Sequence, residues 1–244
     1  MVPAIALAAA GCVSTSSIPR VPARGEVIRA ILTSTVQLRS EREGGIRRAA
    51  SGVVVATDSR SRRAWIITAK HFLDPPSRQE VFVRLPGHTQ VREASVVFVS
   101  REVDLAILEA SDLKVVPVRL KMTAHLGDAI RIVAFPWGQR FTVVGGFVSQ
   151  ISAPRASEDQ DLVVGPPRMV DASVSYGSSG GGVFDAVSGE LVGVVEGYRT
   201  AKLAIPEMKE RVFEMPVAGE TNVVSAAVIL KFLIEAGLEN YLPR

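Results

Sequence analysis

Short runs rich in valine and isoleucine recur about every ten residues along most of this chain, separated by clusters of glycine, proline, aspartate and serine. That recurrence predicts an all-β barrel or sandwich. Candidate strands fall at 30–38, 51–56, 64–68, 80–84, 90–99 and 105–108, and a second set at 129–135, 141–149, 162–164, 169–173, 182–184 and 190–195. Between the sets lies the stretch 112–127, which has no long helical period and suits a crossing from one lobe to another. The expected organisation is therefore an N-terminal lobe over 26–115 and a C-terminal lobe over 116–244. The charged stretches 39–48 and 58–63 read as solvated hairpin or connector tips.

The pattern changes near the C-terminus. Val223, Ala226, Ala227, Leu230, Leu233 and Ile234 repeat at helical spacing, with Thr221 or Asn222 as N-cap and Gly237 as C-cap. This predicts a helix over 221–236 whose apolar stripe docks on a barrel. At 244 residues with 47% hydrophobic content, the chain can bury a core without disulfides. Lys and Arg total 28 against 25 Asp and Glu, a net charge of only +3, so the composition does not point to a nucleic-acid partner.

Hydrolysis of a peptide by serine needs an oxygen nucleophile, a base to take its proton, a carboxylate to orient that base, and amide donors for the oxyanion. Ser179 sits in Gly177-Ser178-Ser179-Gly180-Gly181, where glycines permit a backbone tight enough to aim N–H groups at a developing charge. The run alone also reads as a flexible Gly/Ser loop. It matches G-x-S-x-G as well, the nucleophile elbow of lipases and esterases. In that fold the histidine follows the serine. Here the three histidines, His71, His88 and His125, all precede Ser179, so that arrangement cannot be assembled.

His71 ends the apolar run Trp65-Ile66-Ile67-Thr68-Ala69-Lys70, at the rim of a lobe, whereas His88 and His125 sit in turns and read as solvated. Asp104 opens Asp104-Leu105-Ala106-Ile107-Leu108, where a carboxylate beside a buried surface can accept from a histidine Nδ1–H; taken alone it also reads as an ordinary strand-edge aspartate.

The order His71, Asp104, Ser179 is that of the chymotrypsin-like proteases. The flanking motifs resemble the trypsin-like superfamily, and within it the bacterial HtrA (Deg-type) proteases. Ser51-Gly52-Val53-Val54-Val55 resembles that family's G-S-G-V-I strand, Ile67-Thr68-Ala69-Lys70-His71 its T-x-x-H motif, and Asp104-Leu105-Ala106-Ile107-Leu108 its D-L-A-L-I. Gly127-Asp128-Ala129-Ile130 with Phe135-Pro136-Trp137-Gly138 resembles G-D…N-P-x-G. The segment from Asp171-Ala172-Ser173 through Ser178-Ser179-Gly180-Gly181 resembles D-A-x-I-N-P-G-N-S-G-G, so the likeness runs from about Ser51 to about Pro206.

The resemblance implies an all-β protein of two six-stranded antiparallel β-barrels with a C-terminal α-helix. It implies a serine endopeptidase in which Ser179 is the nucleophile, His71 the general base and Asp104 its orienting carboxylate, with the N–H groups of Gly177 and Ser179 as the oxyanion hole. No cofactor or metal is implied; the partner is a protein or peptide substrate. The pocket for the substrate side chain would be walled by Ser173, Ser175 and Tyr176 and by Val195, Glu196 and Gly197. Ser173 stands where trypsin carries its pocket aspartate, which argues for an apolar preference over Lys or Arg.

Tyr176 stands where the family usually has Pro, Ser178 where it has Asn or Asp, and Gly182 where Pro often follows. The chain stops after its terminal helix, so regulation through the PDZ module common in HtrA proteins is not expected. A silent trypsin-like fold serving as an envelope binding lipoprotein is the alternative, and a peptidase acting only on itself or one dedicated target is a third reading.

Cys12, the single cysteine, follows the short apolar stretch Ala4-Ile5-Ala6-Leu7-Ala8-Ala9-Ala10-Gly11, too short to span a bilayer. Ala9-Ala10-Gly11-Cys12 resembles a bacterial lipobox, whose cysteine is acylated and becomes the mature N-terminus. Residues 1–25 then form a signal peptide and a Ser-, Pro- and Arg-rich tether, and the expected location is exported, as a periplasmic or outer-membrane lipoprotein.

Overall fold

The computed structural model describes residues 22–75, 78–152, 163–204 and 212–243. Cys12 and most of the tether lie outside the described residues.

The first described element is a helix, α1 (Arg24–Thr33), where Glu26 accepts a hydrogen bond from the Ala23 N–H at 2.9 Å and places an acidic group in the first turn. Its two buried residues, Val27 and Ile31, are one helical repeat apart. This corrects the strand expected over 30–38: Ala30 to Thr33 close the helix, and the strand begins at Thr35. Ile31 and Leu32 fit an apolar strand run, but Ile31 lies four residues after Val27, and that spacing sets both on the buried face of the helix.

Six strands follow: β1 (Thr35–Arg42), β2 (Arg47–Asp58), β3 (Arg63–Thr68), β4 (Gln79–Arg84), β5 (Val91–Val99) and β6 (Ala106–Ser111). They form a closed antiparallel barrel in the order β1-β2-β3-β6-β5-β4, with β1 returning to pair with β4. The hairpin tip between β1 and β2 turns through Gly44 and Gly45, both at positive φ.

The second barrel is built from β8 (Ala129–Ala134), β9 (Thr142–Ile151), β11 (Pro167–Asp171), β12 (Gly182–Asp185), β13 (Leu191–Ala204) and β14 (Val212–Ser225), in the order β11-β14-β13-β12-β8-β9, closed by β11 against β9. A separate two-stranded sheet pairs β7 (Ala124–His125) with β10 (Val164–Gly165). The strand expected at 162–164 is thus not a barrel strand: Leu162 lies outside the described residues, and Val164 pairs with His125. The sixth strand is β14, whose Thr221 and Val224 pair with Tyr198 and Val194 of β13. That shortens the expected helix from 221–236 to α2 (Ala226–Glu235), with Ser225 as N-cap. Val223 and Val224 fit either period, and the sheet edge of β13 decides in favour of strand.

The chain leaves α2 through a Schellman turn: the Gly237 N–H donates to Ile234 O at 2.9 Å and the Leu238 N–H to Leu233 O at 3.0 Å, with Gly237 at φ +74.

Strands β2, β3 and β6 show why the sequence runs are apolar throughout rather than alternating. Ala50, Val54, Ala64, Ile66, Ala106 and Leu108 fill the first barrel. Their sequence neighbours Val53, Val55, Trp65, Ile67 and Ile107 point the other way, into a second core shared with Val133, Phe184, Leu191 and Val194 of the second barrel. Val27 and Ile31 of α1 and Ile229, Phe232 and Leu233 of α2 complete that shared core. Each fully buried aliphatic or aromatic side chain there contributes roughly 1.5–3 kcal/mol. Phe232 meets Phe98 of β5 (ring centroids 5.3 Å apart) and Tyr241 meets Trp65 (4.7 Å), so the segment that follows the second barrel fastens onto the first. Among the described residues, no helix is long and apolar enough to cross a membrane.

Candidate active site

Three loop positions converge at the seam between the barrels. His71 lies in the single helical turn Lys70–Leu73 that follows β3, anchored by buried Phe72 and Leu73. Asp104 precedes β6, where buried Leu105 pins the chain. Ser179 lies in the turn between β11 and β12.

The Asp104 carboxylate holds His71 at two points. Oδ1 accepts from the His71 backbone N–H at 2.8 Å, and Oδ2 lies 2.6 Å from the ring Nδ1. With Nδ1 protonated and donating to Asp104, Nε2 is left as an acceptor, and it lies 2.9 Å from Ser179 Oγ. The hydrogen bond to Asp104 raises the His71 pKa above its ordinary value, against the opposing effect of burial and with help from the aspartate's charge. Burial pushes the Asp104 carboxyl upward, but its two hydrogen bonds from His71 outweigh that and hold it below the usual value. With the imidazole neutral and the carboxylate ionised, such an arrangement can activate a serine oxygen as a nucleophile.

The serine turn is fixed from the first barrel by one residue. Ser51, fully buried on β2, donates its N–H to Ser179 O at 2.9 Å and its hydroxyl to Gly177 O at 2.8 Å, while the same Oγ accepts from the Phe135 N–H at 2.8 Å. Its carbonyl accepts from Thr68 Oγ1 at 2.8 Å. Gly180 has φ +77, and a Cβ there would lie 2.3 Å from Ser51 O. Gly177 has φ +87, and a Cβ there would lie 2.8 Å from both Phe135 O and Trp137 N. These two positions need glycine both for their backbone conformation and for the close approach of a neighbouring chain. Among the described residues, the N–H groups of Gly177 and Ser179 have no acceptor, whereas those of Ser178, Gly180 and Gly181 bond to Ser175 O, Val195 O and Ser178 O.

The other candidates have mixed surroundings. Ser173 and Ser175 line a cavity of about 250 Å³ with Ser178, walled by apolar Ile132 and Val144. The Val195 side chain is buried in the second barrel's core, so only its backbone borders the serine turn. Glu196 is exposed, Gly197 is half-buried, and Tyr176 is exposed beside Trp137. His88 is exposed, and His125 lies 3.6 Å from Asp128 at a separate turn. Among the described residues, no group of three His, Cys, Asp or Glu side chains gathers as a metal site.

In the sequence Ser51 belongs to a strand motif, yet a lone serine heading the otherwise apolar run Gly52-Val53-Val54-Val55 is a signal that its hydroxyl has a buried partner. Trp137 has φ +56 and donates its N–H to Tyr176 O at 2.7 Å, a contact that the motif Phe135-Pro136-Trp137-Gly138 does not signal.

Two closed six-stranded barrels with a serine, a histidine and an aspartate in file at their seam define the trypsin-like class. The family model for the trypsin-like peptidase domain matches residues 50–194, more than half of the chain, and the chain belongs to that family. It is similar to the serine endoprotease DegS of Haemophilus influenzae, 30% identical over 148 residues that cover 59% of this chain and 40% of that protein. To DegS of Salmonella typhimurium it is 29% identical over 155 residues, 61% of this chain and 39% of the relative. A probable periplasmic DegP-like serine endoprotease of Hahella chejuensis is 30% identical over 146 residues, 59% of this chain and 28% of its own length. The chain thus spans about two-fifths of the length of the DegS proteins it matches.

Among solved structures, the active form of the Rv3671c protease from M. tuberculosis has a TM-score of 0.64 at 23% identity, covering 96% of this chain and 97% of that one. The serine endoprotease of Yersinia pestis has a TM-score of 0.65 at 23% identity, covering 91% and 70%. These structures share the two-barrel fold.

Proposed function

We propose that this protein is a serine endopeptidase that cleaves peptide bonds through an acyl-enzyme formed on Ser179. The observation that carries the reading is the file of contacts from Asp104 Oδ2 to His71 Nδ1 at 2.6 Å and from His71 Nε2 to Ser179 Oγ at 2.9 Å. In this reading Ser179 Oγ attacks the scissile carbonyl as His71 Nε2 takes its proton. The carbonyl oxygen becomes an oxyanion and is met by the unengaged N–H groups of Gly177 and Ser179. His71 then returns the proton to the leaving amine, and water attacks the acyl-enzyme by the same route in reverse. Asp104 stays ionised throughout, fixing the imidazole tautomer and stabilising the imidazolium.

The lobes proposed to carry this chemistry are 26–115 and 116–244. The serine-lined cavity beside Ser173 and Ser175, with its apolar walls, suits a modest uncharged side chain on the acyl side. The similarity to a protein named as periplasmic, together with Ala9-Ala10-Gly11-Cys12, supports an exported bacterial protein acylated at Cys12.

The test is labelling by a fluorophosphonate probe. The folded native protein is expected to react and Ser179→Ala to stay unlabelled; a folded native protein that does not react would make the site a silent one.

A further inference from the structure

A cleft of about 540 Å³ opens beside the serine turn, between the β1–β2 hairpin and the turn that carries Trp137. One wall is aromatic: Tyr176, the residue before Gly177, lies against Trp137 with ring centroids 5.4 Å apart, and the two are 47% and 66% exposed. The other wall is cationic, carrying Arg39, Arg47, Arg48 and Arg84, and no carboxylate lines the cleft.

Arg39 and Arg47 share Glu41 as a counter-charge, at 3.2 Å each. Among the described residues, Arg48 and Arg84 have no carboxylate partner. Arg84 is nonetheless held in place. Its Nε donates to Gln37 Oε1 at 2.6 Å, and the buried Gln37 amide donates in turn to Gly138 O at 2.6 Å, tying the guanidinium to the turn that carries Trp137. Its terminal nitrogens make no hydrogen bond to any described residue. Arg39 is steadied by the Phe82 ring, 5.4 Å from its guanidinium carbon. Positioned guanidinium groups with unused donors fit carboxylates, which they bind through two parallel hydrogen bonds.

The cleft's place relative to Ser179 gives it a direction. Strand β13 flanks the serine turn on one side, where Val195 O accepts from the Gly180 N–H. His71, which must hand a proton to the departing amine, lies on the other, and Arg48 donates to the carbonyl of His71 at 3.2 Å. A substrate whose acyl half rests along β13 must send its amine half past His71, into the cleft.

Resting on the peptidase reading above, we propose that this cleft binds the substrate segment on the leaving-amine side of the scissile bond and selects acidic residues there. Trp137 and Tyr176 hold its backbone and apolar stems, and Arg84 with Arg39 and Arg47 receives its carboxylates.

Internally quenched peptide libraries with Glu, Gln or Lys at the first four positions after the cleaved bond test this. Glu is expected to exceed Lys by roughly 10-fold or more in kcat/KM, a preference that shrinks as ionic strength rises. Arg84→Gln and the exposed charge reversal Arg47→Glu should each bring the Glu-to-Lys ratio toward one. The second guards against a folding defect, because the Arg47 side chain is 68% exposed. Equal cleavage of Glu and Lys peptides by the native protein, or a ratio indifferent to both variants, overturns the proposal.

A parallel measurement works without turnover: binding of a fluorescent acidic peptide and its Gln and Lys counterparts to Ser179→Ala. Arginine-dependent preference for the acidic peptide is expected. Its absence overturns the cleft assignment, whereas failure of fluorophosphonate labelling alone would sink the peptidase reading and leave an acidic-peptide site. Displacement of that peptide by a short oligothymidylate with the same arginine dependence would make the cleft a phosphate-backbone site and overturn the peptide assignment.

Discussion

Replacing Ser51 by alanine removes one oxygen, yet that oxygen joins three segments. It donates to Gly177 O and accepts from Phe135 N–H, both at 2.8 Å and at a residue with no exposed surface. Without it two buried backbone groups lose their partner. At roughly 1–3 kcal/mol for each such group, less what relaxation recovers, the expected destabilisation is about 2–4 kcal/mol. For a chain of this size that lowers Tm by about 4–16 °C. The Ser51 backbone bonds to Ser179 O and from Thr68 Oγ1 do not use the hydroxyl, so the barrels stay joined.

Catalysis should suffer beyond that stability loss, because both lost contacts steady Gly177. One holds its carbonyl directly. The other holds Phe135, which leads into the turn where the Trp137 N–H fixes Tyr176 O, on the peptide whose N–H belongs to Gly177. Loss of a whole oxyanion donor costs about 10²–10³ in turnover; loosening one should cost about 10-fold or more in kcat, with a smaller change in KM. Differential scanning calorimetry and steady-state cleavage of a fluorogenic peptide measure the two effects. A Ser51→Ala protein that melts within about 2 °C of the native one and keeps its kcat within about twofold would refute the bridging role.

Two further outcomes are expected. Because the hydrogen bond to Asp104 raises the His71 pKa, and only the neutral ring can accept the Ser179 proton, the acid limb of kcat/KM should be centred above the ordinary histidine value of 6.5; the stability linked to His71 is present below that ordinary value and lost as pH rises through the raised one, whereas the stability linked to Asp104 is lost as pH falls below the ordinary aspartate value of 3.8. In Asp104→Asn that limb should move down while turnover falls by about 10³–10⁴, and a limb at or below 6.5 in the native protein would contradict the geometry. Mass spectrometry of the protein purified from membranes should find a diacylated or triacylated Cys12 at the N-terminus, and an unmodified Cys12 would remove the lipid anchor.

Much was legible in the sequence because local signals carried it. The Val- and Ile-rich runs marked ten of the barrel strands at least in part and the first half of β1, since a strand buried on both faces must be apolar at every position, as in β2 from Val53 to Ala56. Glycines at 177 and 180 announced a turn that a side chain would block, and the position of all three histidines ahead of Ser179 removed the esterase arrangement on chain order alone.

Where two periods overlapped, local pattern failed. Ile31 and Leu32 suit a strand as well as a helix, and Val223 and Val224 suit a helix as well as a strand, so α1 and the end of β14 depended on which surface lay nearby. The sequence by itself determined most of the barrel strands and the glycine-rich make-up of the Ser179 turn, because both follow from properties of neighbouring residues. Tertiary structure alone decided that Ser51 anchors a turn 126 residues away, and that arginines of the first barrel meet Trp137 and Tyr176 of the second in one cleft. Those contacts arise from packing one barrel against another, and a linear pattern carries no trace of which surfaces will meet.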